Sequence, residues 1–130
     1  MRLTLTALVI GCLALLTQGP QPAWRDELVR EAKVTRVVDA DTLDAEVELL
    51  YQTDHEGRFR LLGFDAWEMT GEERPKGIKA RARLVELIGD GTVYLRGGIK
   101  RDSFGRYLVD IRLPDGRDPV AILKEEGHGQ

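Results

Sequence analysis

A chain of 130 residues has room for one small domain and no more. Hydrophobic residues at 42% and charged residues at 32% exclude a disordered chain, and fourteen glycines against five prolines point to tight turns and a strand-rich fold. The formal net charge of −3 argues against a broad nonspecific nucleic-acid-binding surface and still permits a local positive cleft.

In chain order, residues 1–17 come first: Met1-Arg2 is a short basic start, and Leu3 to Leu16 carries no charge. A basic start, an apolar run and a polar exit are the parts of an export signal, and the run is shorter than the roughly 20 residues of a bilayer span. The reading is an exported protein, secreted or periplasmic; an uncleaved membrane anchor is the alternative. Val9-Ile10-Gly11-Cys12 resembles a bacterial lipobox, which would make the chain a lipoprotein through Cys12, yet the apolar run continues to Leu16, as it would if Cys12 were only one more apolar residue. As the only cysteine, Cys12 leaves the domain without an internal disulfide. Residues 18–33 read as a linker and an N-terminal extension, with Gln18 to Ala23 rich in proline. Trp24 to Lys33 is predicted helical from the spacing of Trp24, Leu28 and Ala32.

Residues 34–127 form the predicted domain. Val34 to Val38 reads as a strand, and Asp39-Ala40-Asp41-Thr42 as a turn of short polar side chains. Leu43 to Leu49 alternates, with Leu43, Ala45, Val47 and Leu49 on one face and Asp44, Glu46 and Glu48 on the other, as a half-buried strand does. Tyr51 to Gly57 is predicted as a loop, Phe59 to Phe64 as a strand, and Met69 to Lys76 as a charged loop. A helix follows over Gly77 to Ile88, with Ile78, Ala82, Val85 and Ile88 as its apolar stripe and Lys79, Arg83 and Glu86 opposite. Strands at Thr92 to Arg96 and Tyr107 to Leu113 flank a Gly97-Gly98 bend. Asp118-Pro119 opens a last helix, Val120 to Glu126. The whole is mainly β with α, and it suits a five-stranded OB-fold barrel with an inserted helix and a short C-terminal helix.

Arg60 is the oddest residue, because its strand face also carries Leu62 and Phe64. A guanidinium among apolar neighbours needs a carboxylate or an anion. Asp65 and Glu68 follow closely, and Asp41 lies in the first turn, with Asp39 a competitor two residues away. Taken singly, the aspartates are turn formers or solvated charges and Arg60 and Arg106 ordinary ion-pair partners. Together they offer carboxylates for a hard cation such as calcium and two guanidiniums for a phosphate.

Val37-Val38-Asp39-Ala40-Asp41-Thr42-Leu43, Phe59-Arg60-Leu61-Leu62-Gly63-Phe64-Asp65-Ala66-Trp67-Glu68 and Asp102-Ser103-Phe104-Gly105-Arg106-Tyr107 resemble, in order and spacing, the signature segments of the staphylococcal-nuclease-like (thermonuclease) family. The resemblance implies an OB-fold and a calcium-dependent endonuclease acting on DNA, and on RNA as a further substrate. It implies that Asp41, Asp65 and the Ala66 carbonyl ligate Ca2+, that Glu68 is the general base or orients the water, and that Arg60 and Arg106 neutralise charge on the phosphate. A monomer with no obligate protein partner is expected. Ala66-Trp67 replaces a typical Thr-Pro, and Trp67 either packs against the barrel or stacks on a base. Phe104 stands where a phosphate-contacting tyrosine is common. The sequence stops at Gln130, ahead of the third helix of the best-known members, so less packing surface is expected. His55 and His128 lack the clustered spacing of a zinc site. The alternatives are a non-catalytic OB-fold module binding nucleic acid or protein, and a surface-anchored domain with an unrelated ligand.

Overall fold

The computed structural model describes residues 29–130. The export segment, Cys12, the linker and the first residues of the predicted N-terminal helix lie outside the described residues. The rest of that helix is a strand: β1 runs Val29–Asp39. Ala32 there pairs with Val47 on one side and Val93 on the other, so both edges of β1 are hydrogen-bonded. Closing a barrel on both sides of this segment outweighs its local four-residue spacing.

The remaining strands are β2 (Thr42–Glu48), β3 (Asp54–Leu61), β4 (Thr92–Arg101) and β5 (Tyr107–Arg112); the helices are α1 (Arg74–Ile88) and α2 (Pro119–Glu125). The strands close into one barrel in the order β1-β2-β3-β5-β4, with β3 and β5 parallel and the other pairs antiparallel. This is the OB-like barrel predicted, mainly β with one inserted and one C-terminal helix. Leu43, Ala45, Val47, Phe59, Leu61, Val93, Leu95, Val109 and Ile111 are all buried; Leu43, Ala45 and Val47 point inward as the alternation in β2 anticipates, whereas Leu49 lies past the end of the strand and is exposed. Among the described residues no helix is long and apolar enough to cross a membrane.

Four local expectations change. β3 begins at Asp54, inside the predicted loop, because Asp54 to Gly57 pairs with Ala45 to Glu48. It ends at Leu61 rather than Phe64: Gly63 takes φ +100°, and beyond this bend Phe64 enters the core while Leu62 stays exposed. Arg60 therefore does not share a strand face with Phe64. β4 continues through Gly97-Gly98 to Arg101, the glycines sitting where its register against β5 shifts.

The apolar stripe of α1 is rotated from the predicted one. Gly77, Ala80, Leu84, Leu87 and Ile88 are buried, while Ile78, Ala82 and Val85 face outward. Both stripes obey helical spacing, and the packing surface chooses the one with the larger continuous core contact. α2 starts as predicted, with the Asp118 carboxylate accepting from the amides of Val120 and Ala121.

Candidate active site

The site begins with a two-residue turn. Ala40 and Asp41 join β1 to β2, with Asp39 opposite Thr42. The Asp41 carbonyl accepts from the amide of Leu61 at 2.7 Å, which docks this turn on the end of β3. Distant segments thus meet: Asp41 from the turn, Thr42 from the start of β2, Arg60 from β3, and Asp65 to Glu68 from the loop beyond it.

Asp41 is a buried carboxylate held on both oxygens. Oδ2 accepts from the Ala66 amide at 2.9 Å and lies 2.7 Å from Arg60 Nη1; Oδ1 accepts from Thr42 Oγ1 at 2.9 Å. Arg60 reaches on through Nη2 to Asp65 Oδ1, and its Nη1 also donates to the carbonyls of Leu61 and Phe64, each at 3.1 Å. One guanidinium therefore bridges both aspartates. Their surroundings differ: the Asp41 side chain is 11% exposed and that of Asp65 84%. Asp39 stays beside them, accepting from the Asp41 amide at 3.1 Å. Burial, followed by the hydrogen bond with the Asp41 side chain and by its negative charge, pushes the Asp39 carboxyl up to about 6, although the Asp41 amide pulls the other way.

Arg106 enters from the turn before β5. Asp102 holds that turn: its Oδ1 accepts from the amides of Phe104 and Arg106, and its Oδ2 lies 2.6 Å from Arg106 Nε. Partial burial opposes ionisation of Asp102, but the amide and guanidinium of Arg106, with the Phe104 amide, keep its carboxyl below the usual range. Arg106 Nη1 donates to Thr42 Oγ1 at 3.0 Å. A continuous polar chain results, from Asp102 through Arg106, Thr42, Asp41 and Arg60 to Asp65. Thr42 and Asp102 had no role in the sequence reading, although both stand inside the quoted motifs; only the fold reveals what they touch.

Glu68 sits at the rim. Its amide donates to Glu73 Oε2 at 3.0 Å, and its own carboxylate makes no hydrogen bond or ion pair among the described residues. Gly77 on α1 lets the loop close on the helix, since a Cβ there would lie 2.9 Å from the Trp67 carbonyl oxygen and 2.7 Å from the Glu68 carbonyl carbon. Trp67 packs rather than standing free: its indole donates to the Gly127 carbonyl at 2.9 Å, with Lys76 Nζ 4.7 Å from the ring. Phe104 is 82% exposed beside the Arg106 guanidinium.

All six residues singled out from the sequence, Asp41, Arg60, Asp65, Ala66, Glu68 and Arg106, line a single open cleft of about 720 Å³. Asp39, Glu73, Arg58 and Phe104 share it. Among the described residues no cluster of three His, Cys, Asp or Glu is placed to hold a metal. The donor set is instead two carboxylates within reach of one guanidinium, plus the Ala66 carbonyl, which accepts no hydrogen bond among the described residues. All-oxygen donors of this kind fit a hard cation that keeps several waters, and five acidic residues against three arginines leave the cleft short of positive charge.

Fold and cleft together define an OB-like barrel whose first turn, third strand and β4–β5 turn converge on a carboxylate–guanidinium site. No protein-family model matches the chain, and no curated protein matches it.

Proposed function

We propose that this protein is a calcium-dependent endonuclease that hydrolyses the phosphodiester bonds of DNA and RNA, as the staphylococcal-nuclease-like resemblance implies. One observation carries the reading: the cleft gathers two aspartates, an unpartnered glutamate and two arginines that three separate motifs supply. Asp41, Asp65 and the Ala66 carbonyl are the groups that would hold calcium, which when bound supplies Lewis acidity at a phosphate oxygen. Asp41, braced by Thr42 and the Ala66 amide, is the fixed ligand; Asp65, at the rim, is the adaptable one.

The free Glu68 carboxylate takes a proton from the attacking water as its oxygen bonds to phosphorus. The P–O bond to the leaving group breaks on the opposite side, the departing oxygen takes a proton from solvent water, and the charge that builds on the phosphate oxygens is met by Arg60 and Arg106. Arg106 is prepared for this task. Asp102 and Thr42 fix its Nε and Nη1, while Nη2 makes no hydrogen bond among the described residues. Export through residues 1–17 belongs to the same proposal.

The test is cleavage of single- and double-stranded DNA and of RNA by the purified protein, with calcium and then with excess chelator. Cleavage should require calcium, and Glu68→Gln and Arg106→Ala should each lower it by about 10²-fold or more. A folded protein that binds nucleic acid without cleaving it under any divalent metal would establish the non-catalytic module instead. Undiminished cleavage by both variants would move the chemistry to another site.

A further inference from the structure

We infer that the segment Gly127 to Gln130 is a positioning element that holds the Asp65–Glu68 loop in place and so sets the cleft's affinity for a divalent or trivalent cation. This rests on the calcium reading of the same cleft. The chain is delivered there by the way α2 stops. Gly127 takes φ +78°, its amide donates to the Lys124 carbonyl at 3.1 Å, and that of His128 donates to the Leu123 carbonyl at 2.9 Å. The next residues then run antiparallel to the site loop, with Gly129 opposite Ala66.

The pairing is made by backbone. Asp65 and Gln130 exchange hydrogen bonds, amide to carbonyl, at 2.9 Å and 2.8 Å, and the Trp67 amide donates to the His128 carbonyl at 3.4 Å. The Trp67 indole adds its bond to the Gly127 carbonyl. Residue 129 has to be glycine for this approach, because a Cβ there would lie 2.7 Å from the Phe64 ring and would press on the Asp65 carbonyl. On its far side the loop is held by Glu73 and Gly77 of the α1 region. The segment thus supplies the second of two grips on the stretch that carries Asp65, Ala66 and Glu68. Asp65 needs it most, since its exposed side chain has Arg60 alone as a partner.

Three variants separate backbone pairing from side-chain effects. Gln130→Pro removes the amide that donates to Asp65, Gln130→Ala keeps it, and Gly129→Val forces the two segments apart. The probe is Tb3+ alone, followed by luminescence sensitised from tryptophan and competed with Ca2+. Hydrogen exchange at the Asp65 and Trp67 amides is read in metal-free protein, and thermal unfolding in chelator. Gln130→Pro and Gly129→Val should weaken Tb3+ binding roughly 10-fold or more and speed exchange at both amides, with Gln130→Ala like the parent. Unfolding temperature in chelator should change much less than affinity. Parent-like affinity and exchange in both disruptive variants would overturn the inference while leaving the calcium site intact. Equal losses in Gln130→Ala and Gln130→Pro would overturn the backbone mechanism. A parent protein that ignores Tb3+ and Ca2+ would sink the calcium reading itself.

Discussion

At Arg60 a single guanidinium answers two carboxylates and two carbonyls, so a side chain that is only 15% exposed has its positive charge compensated. The carboxylate partner that its place in the sequence calls for is present, but Phe64 does not share its strand face, because the chain turns at Gly63. Asp102 is the opposite case, an ordinary turn residue by sequence that fixes Arg106 in space. Its lowered pKa has a measurable consequence. A carboxyl depressed in the folded state contributes stability above its unfolded value, near 3.9, and loses that contribution as pH falls through the folded value. Asp102→Asn should therefore lower the unfolding temperature at pH 6 to 7, and the gap from the parent should narrow as the pH is taken below about 4. A gap that is constant with pH would mean that the ionised form of Asp102 has no special partner.

Elements whose neighbours lie close in sequence were legible. β2 alternates cleanly because one face meets the core, and Asp118 announces α2 because a capping carboxylate acts within three residues. β1 and α1 depart from expectation for one shared reason: several faces or periods fit the sequence, and only distant partners choose among them. For α1 the choice is testable. Leu84 is fully buried, whereas Ile78 and Val85 are 45% and 49% exposed. Leu84→Ala should cost about 2–5 kcal/mol in urea unfolding, and Ile78→Ala or Val85→Ala about 0.5 kcal/mol or less. Comparable losses at all three positions would favour the stripe first read from the sequence.

Across the whole molecule, barrel closure creates the site. The parallel pairing of β3 with β5 sets Arg60 beside Leu108 and brings the turn bearing Arg106 alongside that bearing Asp41. A cation that binds only this closed arrangement must stabilise it. Calcium at about 100 times its dissociation constant should add about 2.7 kcal/mol, raising the unfolding temperature until chelator reverses it. Asp41→Asn should abolish that increment; an increment that survives in the variant would place the cation elsewhere.

From its periodicity the sequence alone indicated the fold class and much of the strand-and-turn pattern, and the resemblance of three ordered motifs picked out six of the residues that line the cleft, because period and motif order are local, countable properties. The tertiary structure alone decided which face of α1 is buried, that Val29 to Lys33 is strand, that Thr42 and Asp102 link the charged groups, and that Gly129 lies against the Asp65 loop. Those outcomes depend on contacts between residues far apart in the chain, and such contacts are chosen by burial and hydrogen-bond satisfaction across the closed barrel.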